Sequence, residues 1–460
     1  MERRRSGRPV IVMYAGCGWS HLIPFLHFAR ILCNDHHFSV TFITHESIIP
    51  GKKEYIQWVA DSCSHGAFTV GHANSTTGRN VAYFLKSLHD QRCRVGAYVV
   101  DSMWAMSPQL ASYHLHLASG SMGMRMRIPT YIFYRHSASF LCLALLKEKL
   151  YQGELGASRI PGLSSIASTD LPPALLADRF PAHQIPRASA LSGMHGVIIN
   201  SWEELESAQL AALRSERAMP PVYPIGPLMP SPSLLPEPLV EGVAHFLDRQ
   251  AARTVVFVSL GPDFLSAEQI TELAVGLEAC GHPFLWALKP SSSSLQSMSG
   301  QAQSYSLYSQ QLPEGFVTRT QNRGLVISWP PPQGYILSRP CIGGFVSHCG
   351  WNSTVQSILN RVPIITWPVF DNEQKLNALV LLREMKAAIE ARKGADGLVS
   401  GKEVERCCRV LMGLQGISVS TRMIILSIRA RNGAMAAGGS SLQAIHSLAS
   451  AIDSNNSHPR

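Results

Sequence analysis

The residue types best suited to chemistry gather between Gly343 and Ser353, where the chain reads Gly-Gly-Phe-Val-Ser-His-Cys-Gly-Trp-Asn-Ser. An apolar run closes there on the polar residue His348, and Gly350, Trp351, Asn352 and Ser353 then open a helical pattern with small and capping side chains. A helix start of this kind presents free backbone N–H groups and a partial positive charge, which together suit a phosphate. His348, Asn352 and Ser353 add side-chain donors, so a pyrophosphate could be held without Mg²⁺, and no Asp-x-Asp pair stands at a strand end. A second pair is His21, after the first apolar run, and Asp101, at the end of Val95–Val100. Histidine can take a proton near neutrality, and a carboxylate can fix its tautomer and orientation. Taken singly, each residue has a plainer reading. His21 could be a histidine at a helix entry, Asp101 a strand-end N-cap, and His348 a strand-end histidine with its hydrogen bonds met.

Such groups need elements to position them. Pro9–Tyr14 reads as a buried strand, followed by a loop that carries His21 and a helix over Leu22–Leu32. Similar strands are expected at Phe38–Ile43, Gly96–Val100, Thr130–Tyr134 and Gly196–Asn200. After the proline-rich stretch that begins at Tyr223, a second series runs through Thr254–Leu260, Phe284–Leu288, Gly324–Ser328, Gly343–Ser347 and Val362–Trp367. Strands alternating with helices predict an α/β chain with two doubly wound parallel sheets facing a cleft. The expected division is an N-terminal domain over 1–228, a linker over 229–242, a second domain over 243–435, and a C-terminal helix in 436–460 packed back on the first domain.

The chain has 460 residues, more than a single core usually serves. It is 46% hydrophobic and 15% charged, a balance that excludes disorder as its main state. The net charge of +9 could attract a polyanion, but outside Arg3–Arg5 the basic residues are scattered, and no nucleic-acid partner is expected. Ten cysteines without Cys-x-x-Cys spacing read as reduced thiols. Val10–Ala15 is too short for a signal h-region and no apolar run reaches membrane-span length, so a cytoplasmic monomer without a transmembrane segment is expected.

Trp329-Pro-Pro-Pro-Gln333, the run from Ile336 to Ser353, and Val362-Pro-Ile-Ile-Thr-Trp-Pro-Val-Phe-Asp-Asn-Glu-Gln374 follow one another in order. Together they closely resemble the donor-binding signature of the plant family-1 UDP-dependent glycosyltransferases. The resemblance implies a GT-B type fold and inverting, metal-independent transfer of a sugar, with glucose favoured, from a UDP-sugar to a hydroxyl of a small lipophilic acceptor in secondary metabolism. The UDP-sugar is then a co-substrate, and no cofactor is implied. By the same resemblance Trp329 stacks on uracil, Gln333 lies near the nucleoside, and His348, Gly350, Trp351, Asn352 and Ser353 hold the diphosphate. Gln356 faces the ribose, and Glu373 and Gln374 bond the sugar hydroxyls. Gly18-Trp-Ser-His21-Leu-Ile-Pro24 resembles the family's Gly-His-x-x-Pro element, which makes His21 the general base, and Asp101 sits in a Val-x-Asp element as its partner.

The chain also departs from that pattern. Gln356 replaces a Glu, the loop Leu260-Gly-Pro-Asp-Phe-Leu-Ser266 departs from the usual Gly-Ser with Pro262, which has no N–H, and the negative Asp263, Arg135 replaces a Thr or Ser near the sugar, and Arg339 replaces a His. An extra proline precedes Gln333, and an extra residue lies between Trp367 and Gln374. These changes leave a second class of function open, a weak or inactive nucleotide-sugar-binding homologue with a regulatory or relic role. A third class, a dinucleotide-dependent oxidoreductase, is disfavoured, because Gly16-Cys-Gly18-Trp-Ser-His21 lacks the third glycine of that fingerprint.

Overall fold

The computed structural model describes residues 9–16, 18–45, 50–63, 68–73, 95–102, 128–151, 159–172, 175, 191–229, 241–261, 265–289, 311–328, 332–370 and 372–457. The chain divides into two compact units, one of Met1–Ser231 with Ala430–Arg460, the other of Pro232–Arg429.

In the first unit, β1 (Val10–Tyr14), β2 (Ser39–His45), β3 (Phe68–Ala73), β4 (Val95–Asp101), β5 (Thr130–Tyr134), β6 (Gly196–Ile199) and β7 (Val222–Pro224) form one sheet. Its order is β3-β2-β1-β4-β5-β6-β7, with parallel pairing throughout. Strands β4 and β5 at its centre are buried along their whole length, so both sets of alternating side chains are removed from water. Helix α1 (Trp19–Asn34) packs on one face, where Phe25 meets Phe133 at 4.7 Å between ring centroids. Further along come α2 (Pro50–Asp61), α3 (Ala138–Tyr151) and α4 (Glu203–Ser215). The C-terminal helix Ser440–Ser457 packs on β4 and β7, and Ser440 Oγ donates to Glu204 Oε2 at 2.8 Å.

The helix after β1 begins earlier than its apolar periodicity indicates. Gly18 occupies the N-cap, and its carbonyl accepts from the N–H groups of His21 and Leu22 at 3.0 and 2.9 Å. His21 therefore lies in the first turn of α1 and not in a loop. A short polar capping segment has no hydrophobic period of its own, which is why the sequence pattern places the start too late.

The second unit contains β8 (Val255–Ser259), β9 (Phe284–Leu288), β10 (Gly324–Ser328), β11 (Ile342–Ser347), β12 (Ile364–Thr366) and β13 (Ala388–Glu390), in the parallel order β10-β9-β8-β11-β12-β13. Its core gathers Phe284, Trp286, Phe316 and Trp367 under α5 (Ala267–Cys280) and the helix Gly401–Met412. Those two helices approach so closely that a Cβ on Gly276 would lie 2.4 Å from Val404 Cβ. Among the described residues no single helix is long and apolar enough to cross a membrane.

Strand order reverses between β1 and β4 in the first sheet and between β8 and β11 in the second. At such a point the connections leave in opposite directions and open a crevice at the carboxyl ends of the strands, where doubly wound folds take their ligands.

The chain just beyond β5 is fixed by a buried carboxylate from α4. Glu206 accepts from the backbone N–H groups of Ala138 and Ser139, both at 2.8 Å, from Ser139 Oγ at 2.5 Å and from Ser201 Oγ at 2.6 Å. It thereby caps α3 from a distant position and leaves its own backbone outside helical geometry, at φ −130° and ψ 41°. Glu206→Gln keeps the shape but turns an NH₂ group toward donors, and should cost about 2 to 3 kcal/mol, read by urea unfolding. An unchanged midpoint would contradict this role.

Candidate functional site

Each switch point carries a histidine seated between glycines. In the first unit His21 Nδ1 lies 2.8 Å from Asp101 Oδ2, at the end of β4, with His21 8% exposed and Asp101 fully buried. An ionised carboxylate can only accept, so Nδ1 carries the proton and the lone pair sits on Nε2. Gly16 and Gly18 make room for the ring. A Cβ at residue 16 would stand 2.8 Å from His21 Nδ1, and one at residue 18 would stand 3.1 Å from Cδ2. Any side chain at residue 16 would press the imidazole off its carboxylate.

In the second unit His348 follows β11 and packs between Gly261 and Gly350. A Cβ on Gly261 would come within 3.2 Å of its ring, and one on Gly350 within 2.5 Å of Nε2. Gly261 has φ +90°, open to glycine at little cost. Burial pushes the His348 pKa down to about 4, with the Ser259 backbone acting in the opposite direction, so the ring is neutral near pH 7. Among the described residues its Nδ1 is enclosed without a hydrogen-bond partner.

The next residue, Cys349, adopts φ +65°, a left-handed conformation unfavourable for a side chain with Cβ. Two bonds hold it there: Cys349 N–H donates to Ser347 Oγ at 3.1 Å, and Asn377 Nδ2 donates to the Cys349 carbonyl at 3.0 Å. The strained turn aims the start of α6 (the helix numbered 267–280 being α5), which runs Trp351–Leu359 with Gly350 at its N-cap and no side-chain cap. The N–H groups at its start can therefore serve an anion. Trp351 is buried, so what it can offer a ligand is its backbone N–H. Asn352 is half-buried on the same turn.

Three of the residues singled out by sequence form one network. Gln333 Nε2 donates to Ser353 Oγ at 3.1 Å and to Gln356 Oε1 at 2.6 Å. Glu373 and Gln374 open the helix Glu373–Leu379, capped by Asn372, and both are largely buried. Gln374 Oε1 accepts from the N–H groups of Val369 and Phe370 at 2.9 and 3.1 Å, which leaves its amide N–H groups as the part able to serve a ligand. Arg339 pairs with Asp248 and lies over the Tyr335 ring at 5.4 Å, which explains this departure as a local surface contact. Trp329, Pro262 and Asp263 lie outside the described residues.

The seats Gly16 and Gly261, and the brace Asn377, do not stand out in the sequence. The signal for the first two is a glycine one or two residues beyond a strand that carries a histidine at its switch point or pairs with one that does. Nothing in residue type announces Asn377. Chemically, the second unit offers neutral donors and a helix start suited to a diphosphate, and the first offers an imidazole oriented by a buried carboxylate, with Nε2 as its basic nitrogen.

Residues 203–395 match the family described as UDP-glucoronosyl and UDP-glucosyl transferase. UDP-glycosyltransferase 88B1 of Stevia rebaudiana is 30% identical over 94% of this chain and 96% of its own length. Isoflavone 7-O-glucosyltransferase 1 of Glycine max is 32% identical over 81% of this chain and 77% of its own. The structure of Phytolacca americana UGT2 complexed with UDP-2fluoro-glucose and pterostilbene superposes with a TM-score of 0.79 at 28% identity, covering 97% of this chain and 100% of that one.

Because the folded pKa of His348 lies below the value of about 6.5 for an unfolded chain, the unfolded state binds the extra proton first. The stability this neutral ring contributes is complete above that value and is lost as pH falls from there toward 4. Over that window His348→Asn should lose up to about 3 kcal/mol less than the parent chain, measured by denaturant unfolding at each pH. Parallel curves for the two proteins would contradict the assignment.

Proposed function

The chain belongs to the family of UDP-glucuronosyl and UDP-glucosyl transferases and moves a sugar from a UDP-sugar to a small acceptor, and on that premise we propose inverting transfer of glucose with His21 as general base. The observation that carries the proposal is the buried hydrogen bond between His21 and Asp101, which leaves Nε2 as the basic nitrogen. The acceptor hydroxyl gives its proton to that nitrogen as its oxygen bonds to the anomeric carbon. The bond from that carbon to the β-phosphate oxygen breaks, and UDP leaves with the electron pair. Asp101 steadies the imidazolium that results.

The departing diphosphate is met by the N–H groups at Trp351–Ser353 and by neutral His348, donors fixed before the reaction begins. In this reading no metal takes part and the enzyme is a cytoplasmic monomer. A single displacement on an α-linked donor yields a β-glycoside. The glucose assignment draws on Glu373 and the amide of Gln374, on the UDP-2fluoro-glucose bound by the Phytolacca protein, and on the glucosyltransferase name of the Glycine max relative. Gln356 already accepts from Gln333, and its remaining amide group is the part that can reach a ribose hydroxyl.

His21→Ala should lower turnover with UDP-glucose at least about 10²-fold while UDP binding, followed by calorimetry, stays near that of the parent chain. Turnover left intact would remove His21 from the role of base.

A further inference from the structure

Arg135 follows β5 directly, at the carboxyl edge of the sheet that carries His21 and Asp101. Asp101 pairs in register with Phe133 on the adjacent strand, and Arg135 stands two residues further on, about 7 Å along the chain. Phe133 packs its ring on Phe25 and Phe28 of α1, and the two-residue period of a strand puts Arg135 on that same face, the one from which His21 reaches Asp101. The backbone immediately beyond is held by the Glu206 cap at Ala138 and Ser139, so the position is built into the fold.

The guanidinium is half-buried, its Nε is enclosed without a hydrogen-bond partner, and it forms no ion pair among the described residues. Asp101, the carboxylate whose charge acts on it, bonds His21, and Glu206, which caps the helix just beyond, accepts from four donors. Burial lowers the Arg135 pKa, and the charge of Asp101 partly offsets this without a salt bridge. A half-buried cation is stabilised by a direct ionic partner, and its planar fork of N–H donors is best satisfied by a carboxylate. Where a Thr or Ser would be neutral, this chain places a half-buried positive charge on the sheet face that carries its base.

We propose that Arg135 is a specificity-determining residue that binds a carboxylate on the acceptor, so that the preferred acceptors are hydroxylated aromatic acids whose hydroxyl is presented to His21. The proposal rests on the reading of His21 as the base of a glycosyltransferase. The carboxylate serves as a handle, and the hydroxyl remains the attacking group.

The test uses 4-hydroxybenzoate, 4-coumarate and ferulate, each paired with its methyl ester, on the full-length protein and its Arg135→Thr and Arg135→Lys variants. With UDP-glucose as donor, kcat/KM should favour the acid over the ester by at least about tenfold in one or more pairs. Arg135→Thr should abolish that ratio through KM, and Arg135→Lys should retain part of it. Calorimetric titration of the same pairs into UDP-saturated protein reads the preference even if no acceptor is turned over, so failure of the glucosyltransferase reading is seen separately from failure of this one. The proposal is overturned if no pair favours the acid in either measurement, or if Arg135→Thr lowers acid and ester alike, as a residue acting only through Asp101 would. It is also overturned if Arg135→Thr weakens UDP binding by about tenfold or more, which would assign the guanidinium to the donor diphosphate.

Discussion

A carboxylate with no exposure to water must be bonded or neutralised, and in this protein Asp101 meets that requirement through the imidazole of His21. Much of the first unit serves this one contact. Strand β4 ends on Asp101, the N-cap at Gly18 turns α1 so that its first turn carries His21, and Gly16 leaves the ring room to reach back. The same bond that satisfies the buried acid fixes which nitrogen is basic, so stability and proton chemistry share a cause.

The second unit repeats the arrangement for a different task. Its histidine also sits at the reversal of strand order and between two glycines, but among the described residues no carboxylate is bonded to it, and burial keeps it neutral. Neutrality suits a group that donates to an anion without binding a proton of its own. The left-handed turn at Cys349 is unfavourable in isolation and is held by Ser347 and Asn377, so the start of the following helix stays fixed in direction. Strain at this position is offset by hydrogen bonds from two separate elements.

The elements visible in the sequence are those buried on both faces. Strands β1, β5, β8 and β9 are continuous apolar runs and lie where their composition indicates. Of the four edge strands, β10 lies at Gly324–Ser328, where its composition indicates, and the other three were not legible. In Phe68–Ala73 Thr69 is exposed and Val70 half-buried, and Val222–Pro224 and Ala388–Glu390 are too short for a period to emerge. Among site residues, His21, Asp101, Gln333, Ser353 and Gln356 could be read from ordered motifs, and the structure joins them in two bonded groups. What the sequence could not convey was how each is held. Gly16 matters through empty space, Glu206 acts on a helix more than sixty residues away, and the Gln374 carbonyl is taken up by the turn at Val369 and Phe370. These depend on three-dimensional packing and leave no local pattern.

The proposed proton transfer depends on the direction of one hydrogen bond, and Asp101→Asn tests that direction by replacing an acceptor with an amide that can donate to Nδ1. In that variant the proton moves to Nε2 and the lone pair turns inward. Steady-state kinetics with UDP-glucose should then show kcat reduced at least about 10²-fold with KM for the donor unchanged. A kcat within about twofold of the parent chain would mean that Asp101 does not set the imidazole's tautomer, and the proposed base would have to be sought elsewhere.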